Sequence, residues 1–192
     1  MILDNDISKF LIDGDLSSDE GFFYCRTRDQ SASRYSKWFK SFISTGISES
    51  NASIITAIIG ELTNNSFDHN LGKWKEPSGC AVKIIKEKAH LVIYIADRGQ
   101  GIISSLASTV GTNFTNQQIL VKAFEERISG RSPEKRGNGL KFVINNVHNS
   151  NHSLFCYSQD EEYTFGEYFG SIEVPSLPKN FGTLICFNWS LK

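Results

Sequence analysis

An α/β domain is what this sequence predicts, and three observations predict it. Aromatic and apolar residues recur at helical spacing over 31–45, at Tyr35, Trp38, Phe39 and Phe42. A second helical run, IITAIIGELTNNSFDHN, follows candidate Ser and Asn caps between Ser48 and Ser53 and extends to Asn70. The stretches AVKIIKEK and LVIYIAD, parted by a short turn over 88–90, read as an antiparallel strand pair. The second strand of the pair is nearly unbroken in its apolar character, which places it centrally in a sheet.

The other elements follow in chain order. Residues 1–30 show no clear pattern. After LVIYIAD, Gly99 and Gly101 break the strand, and the segment 103–136 predicts one amphipathic helix over 116–128, with Ile119, Leu120, Ala123, Phe124 and Ile128 on one side. Polar, glycine-bearing hinges flank it. GNGLKFVINNVH reads as a helix that opens at a glycine turn, and β-type stretches SLFCYS, YFGSIEV and GTLICFNWSL close the chain, the first two parted by an acidic turn. The aromatic set on the first helix reads as core in preference to a partner-binding face. His148 and His152 are spaced i, i+4 like metal ligands but lie in an Asn-rich helix end without a zincin glutamate, so both read as surface residues.

Composition sets the limits. A chain of 192 residues with 40% hydrophobic and 21% charged residues is one globular domain, which excludes disorder, collagen-like repeats and coiled coil. A net charge of -1 exerts no global pull toward nucleic acid or an acidic membrane, so neither is an expected partner and any polyanion must be gripped locally. No apolar run approaches the roughly 18 residues of a membrane span, and the acidic start lacks the features of a secretory signal. A cytoplasmic location is the expectation. Cys25, Cys80, Cys156 and Cys186 are scattered without a CxxC, which indicates neither a zinc knuckle nor a redox pair.

Three segments carry chemistry. In ELTNNSFDH, helical spacing puts Glu61, Asn65 and Asp68 on one stripe with His69 beside them. A carboxamide oxygen there can hold hydrated Mg²⁺ while the carboxylate orients a nucleophile, although an E-x-x-x-N alone is equally a solvated helix face. In IADRGQGI, a strand delivers Asp97 to its C-terminal end ahead of Gly99 and Gly101, which allow close backbone approach to a ligand. An adenine amino group is a natural donor for that carboxylate. In KRGNGLKFV, Gly137 and Gly139 precede a helix whose first amides favour anions. It is neither a P-loop nor a dinucleotide fingerprint, since the required further residues are missing.

Together and in this order, ELTNN, DRGQGI, GNGL and the terminal Gly182 and Thr183 resemble the GHKL ATPase superfamily of DNA gyrase, the ninety-kilodalton heat-shock chaperones, histidine kinases and MutL. The resemblance covers about 48–191. It implies a Bergerat fold, a two-layer sandwich in which a mixed, mostly antiparallel sheet packs on helices, with the ATP-binding domain at 48–192 and an N-terminal segment at 1–47 that adds a helix to it.

The resemblance also implies roles. ATP and Mg²⁺ would be the ligands, with Asn65 on the metal, Asp97 on the adenine amino group and Glu61 as general base. Asp68, His69, Gly99, Gly101, Ile102 and Thr183 would line the nucleotide site, and the amides of Gly137, Asn138, Gly139 and Leu140 would hold phosphates. The segment 103–136 would be the ATP lid, with Arg131, Lys135 and Arg136 reaching the γ-phosphate. A glutamate at 61 matches gyrase-like ATPases and anti-sigma-factor serine kinases. A conventional histidine kinase is disfavoured because the first histidine is His69, inside the motif itself, and gyrase- or MutL-type machines are disfavoured because the chain ends at Lys192. The implied activity is γ-phosphoryl transfer to water or to a Ser/Thr of a partner protein in bacterial-type signalling. A non-catalytic, nucleotide-controlled switch that binds a partner protein stands as the alternative.

Overall fold

The structure, a computed structural model, describes residues 3–70, 72–111, 113–126, 139–148, 152–167 and 182–191. Among them are six helices, α1 (Asn5–Asp13), α2 (Arg28–Ser44), α3 (Glu49–His69), α4 (Gly101–Val110), α5 (Asn116–Glu125) and α6 (Gly139–His148). Six strands, β1 (Phe22–Cys25), β2 (Cys80–Lys86), β3 (His90–Asp97), β4 (Ser153–Ser158), β5 (Glu161–Phe165) and β6 (Thr183–Ser190), form one sheet in the order β1-β2-β3-β6-β4-β5. Every described pairing is antiparallel, in line with the mostly antiparallel sheet expected.

Side-chain alternation divides the sheet into two faces. Val82, Ile93, Ile95, Ile185 and Phe187 face a core shared with α2 through α6, while Ala81, Val92, Tyr94, Leu184 and Cys186 face the opposite side. The architecture is the expected two-layer sandwich, with one short helix added on the second face. Helix α1 lies there, burying Ile7, Phe10 and Leu11 against it. Its boundaries are encoded locally: Asp4 Oδ1 accepts from the amides of Asp6 and Ile7 at 3.0 and 3.1 Å, and Gly14 ends the helix at φ 83°. Residues 1–30, patternless by sequence, thus hold a helix and the edge strand β1. The helix expected over 31–45 is α2, which spans Arg28–Ser44, and its Trp38 and Phe42 are core, as read.

Three further expectations change. Much of the segment expected as a lid is core: α4 buries Ile103 and Leu106, and α5 buries Ile119, Leu120, Ala123 and Phe124, with Phe124 stacked on Tyr163 at 4.5 Å. The remainder, with Ile128, Arg131, Lys135, Arg136, Gly137 and Asn138, lies outside the described residues, as does YFGSIEV. The acidic stretch after β4 is a strand, not a turn. Only Gln159 and Asp160, at φ 53° and 67°, make the two-residue hairpin between Ser158 and its partner Glu161. His152 is buried, stacked on Trp189 at 3.7 Å with its Nδ1 accepting from the Ser190 amide at 3.1 Å, so only His148 of that pair is exposed. No described helix is long and apolar enough to cross a membrane.

Helix α1 is latched by a buried lysine. Lys83 Nζ on β2 lies 2.6 Å from Asp6 Oδ2 and 2.8 Å from Asp19 Oδ1. Burial alone would lower the lysine's pKa, but the two carboxylates outweigh it and the net direction is up. Asp6 and Asp19 are both held below the usual carboxylate range, first by their hydrogen bonds to Lys83. Depressed carboxylates contribute stability above their unfolded pKa and lose it as pH falls through the folded value. The amide-exchange protection factors of α1, taken against the intrinsic rate at each pH, should therefore fall several-fold more than those of α3 on acidification from pH 7 to below about pH 4. A parallel fall in both helices would show that Lys83 does not hold α1.

Candidate functional site

The floor of one cleft is the end of the central strand pair. The β3–β6 register sets Asp97 opposite Thr183, and α3 crosses above them. Asp97 is 3% exposed. Its Oδ1 accepts from Asn70 Nδ2 at 3.0 Å and the Gly99 amide at 2.9 Å, and its Oδ2 accepts from Ser66 Oγ at 3.0 Å. The Thr183 amide adds a further hydrogen bond. Burial pushes the carboxyl up to about 6 despite these four donors, which pull the other way. It forms no ion pair among the described residues.

Around it opens a cleft of about 740 Å³ of empty space, open solvent at its mouth included. Leu62, Ile95, Ile102, Leu106 and Ile185 supply apolar walls. Asn65, Ser66, His69, Asn70, Ser105 and Thr183 supply polar groups, and Gly101, Ala123, Gly139 and Leu140 also line it. The expected stripe on α3 is thereby shifted in phase. At about 100° per residue, Leu62, Asn65, Ser66 and His69 share the face over the cleft, whereas Glu61 and Asp68 fall on its flank. Asp68 is ion-paired there with Arg28 of α2 and lies outside the lining.

Glu61 is exposed and also outside the lining, but it is not remote. A Cβ placed on Gly139 would stand 2.6 Å from Glu61 Oε2 and 3.7 Å from the Asn65 carboxamide. A carboxylate and an amide thus meet the first turn of α6 at the mouth of the cleft. Among the described residues no three His, Cys, Asp or Glu cluster to hold a metal.

The glycines are placed by packing within the protein. A Cβ at Gly99 would collide with the Asn70 side chain, one at Gly182 would collide with the Asp97 carbonyl, and one at Gly101 would stand 2.8 Å from Ser158 Oγ. Gly101 also sits at φ 81°. Asn70, Ser66 and Ser158 were not read from the sequence as site residues. Asn70 accepts the Gln100 amide at 2.9 Å while donating to Asp97, and Ser158 Oγ accepts the Ile102 amide at 3.0 Å. Both pin the loop that leaves β3. Gln100 Nε2 donates to the His69 carbonyl, closing the loop against the end of α3.

No family model matches the chain, and no curated protein matches it. Among solved structures, the chain is similar to one described as the mycobacterial sensor histidine kinase MprB, at 19% identity and a TM-score of 0.39. The match spans 72% of this chain and 71% of the other.

Proposed function

We propose that the cleft binds Mg-ATP and that the protein passes the γ-phosphoryl to water or to a Ser/Thr hydroxyl of a partner protein, as the GHKL resemblance implies. The observation that carries this reading is Asp97, a desolvated carboxylate without a cationic partner among the described residues at the floor of an apolar-walled cleft. A buried charge at such a cost is retained where a ligand uses it. The chemistry of the donor set fits a nucleotide. Asp97 accepts from an adenine amino group, Leu62, Ile95 and Ile185 bracket a flat apolar ring, and the mouth presents Asn65 and the first turn of α6 to phosphates.

Mg²⁺ fits the mouth only together with phosphate oxygens, with the Asn65 carboxamide as the protein's ligand. When bound it would neutralise charge on the phosphates, the main electrostatic demand of phosphoryl transfer. Glu61, beside Asn65 across Gly139, would accept the proton of the attacking hydroxyl. The switch alternative is favoured by one observation: Glu61 stands on the flank of α3, outside the lining. Incubation with γ-labelled ATP and Mg²⁺, with and without cell lysate, separates the two. Label released as phosphate or placed on a protein supports transfer, label remaining on bound ATP supports the switch, and absence of nucleotide binding overturns both.

Asn65 supplies a narrower test. Asn65→Ala should weaken Mg-ATP binding by roughly tenfold while leaving binding in EDTA within about twofold, because a neutral amide ligand contributes through the metal. Equal losses in both titrations would assign Asn65 to packing.

A further inference from the structure

The fold brings together two of the four cysteines that the sequence leaves scattered. Cys25 ends β1, Cys80 opens β2, and the antiparallel register sets them directly opposite one another. Both are fully buried, against Phe67 and Trp74. Directly opposed residues of an antiparallel pair have Cα atoms about 4.5–5.5 Å apart, within the roughly 4.4–6.8 Å that a disulfide spans. The other cysteines do not meet that condition. Cys186 is on β6, two strands from β2 and so at least about 9.5 Å from Cys80, and Cys156 is a strand further away on β4. Cys156 and Cys186 also belong to cores on opposite faces of the sheet.

Arg34 of α2 is the second observation. Its guanidinium lies 5.4 Å over the Phe23 ring and donates from Nη2 to the Tyr24 carbonyl at 3.3 Å, while its Nε is buried without a hydrogen-bond partner. It forms no ion pair among the described residues. A poorly solvated cation beside a thiol favours the thiolate, the form that reacts. In keeping with this, the Cys25 thiol is held below its ordinary value, first by its hydrogen bond with Cys80 and, against the effect of burial, by Arg34 and Ser31. The same hydrogen bond and burial push the Cys80 thiol well up.

We propose that Cys25 and Cys80 are an oxidative modification site, in which Cys25 reacts with a hydroperoxide and Cys80 resolves the product to an intramolecular disulfide. The Cys25 thiolate attacks one oxygen of hydrogen peroxide, the O–O bond breaks, and hydroxide leaves a sulfenic acid on Cys25. The Cys80 sulfur then attacks the Cys25 sulfur. The S–O bond breaks, and the departing hydroxide takes the Cys80 proton as water. Two thiols lose two electrons, and with the proton released when Cys25 ionises, both peroxide oxygens end as water. The proposal does not depend on the nucleotide reading, although Cys80 is also the β2 partner of Asp97.

The test uses the full reduced chain and a small excess of hydrogen peroxide, followed by alkylation in denaturant and digestion without reductant. The expected product is lighter by two hydrogens, carries a Cys25–Cys80 cross-linked peptide, and leaves Cys156 and Cys186 open to alkylation. In Cys80→Ser, dimedone should capture a sulfenic acid on Cys25. Arg34→Gln should slow thiol loss roughly tenfold and Arg34→Lys, which keeps the charge, should restore most of the rate. Four alkylatable thiols after prolonged exposure, or a cross-link through Cys156 or Cys186, would overturn the proposal. Should the Cys80 variant fail to fold, the peptide map of the wild-type chain decides by itself.

Discussion

Asp97→Asn should weaken ATP and ADP binding by about ten- to a hundredfold while making the ligand-free protein more stable at pH 7. The affinity loss follows from replacing a charged acceptor of a buried donor, worth about 1.5–3 kcal/mol. The gain in stability follows from the raised pKa. A carboxyl pushed to about 6 in the folded protein, against roughly 3.9 unfolded, contributes stability below the unfolded value that is lost as pH rises through 6. At pH 7 that loss is of order 3 kcal/mol, and the asparagine variant escapes it, less the mismatch of an amide where Oδ2 accepts from Ser66. Asparagine is the informative substitution, because alanine would leave Ser66, Asn70, Gly99 and Thr183 donors without an acceptor. Adenosine binding should also strengthen through pH 6 in the wild type and stay flat in the variant. Calorimetry and melting curves at pH 5 and 7 make the comparison. A variant that is less stable yet binds normally would make Asp97 a packing residue.

The elements legible in the sequence are those whose start signals and periodicity agree. Helix α3 has its Ser48 cap accepting the Asn51 amide at 3.2 Å and a long apolar face. The β2–β3 pair follows its apolar runs, and its register carries Asp97 to the sheet end. The elements that escaped are short or carry weak signals. Helix α4 begins at Gly101 with no side-chain cap at Gln100, so glycine read as a break where it opens a helix. Strand β5 buries only Tyr163 and opens on two glutamates, which resembles a turn until its pairing with β4 is known. Helix α1 did carry a signal, in Asp4, the i, i+3, i+4 set of Ile7, Phe10 and Leu11, and Gly14, but nine residues give little periodicity to read.

The site divides in the same way. Asp97 and Asn65 each carried a chemical rationale at an element position and Thr183 entered through the family resemblance alone; all three line the cleft. Asn70 and Ser66 could not be found, since a polar residue near a helix end is ordinary, and only the crossing of α3 over β3 turns both onto one carboxylate. The phase of α3 was misjudged for a related reason. Glu61, Asn65 and Asp68 do share a stripe, yet which stripe faces the sheet is decided by Ile55, Ile58, Ile59 and Leu62 packing beneath it, and that rotation assigns Asp68 to Arg28.

Glu61→Gln should then separate binding from chemistry. If Glu61 accepts the nucleophile's proton, turnover of Mg-ATP should fall by about 10² to 10⁴, the usual worth of a positioned base. Affinity should stay within a few fold, since such a group contributes little to ground-state binding. The exposed position makes the change harmless to the core, which keeps the comparison clean. Gly139→Ala offers a control through geometry: its methyl would come within 2.6 Å of Glu61 Oε2, so it should displace the carboxylate and lower turnover without removing it. If Glu61 only supports the first turn of α6, the glutamine variant should lose about 0.5–2 kcal/mol of stability, with binding reduced in proportion and no separate effect on rate. Single-turnover assays alongside melting curves distinguish these outcomes. A wild type that binds Mg-ATP without turnover, together with a silent Glu61→Gln, assigns the protein to the switch reading, in which the flank position of Glu61 leaves its carboxylate too far from the nucleophile to act.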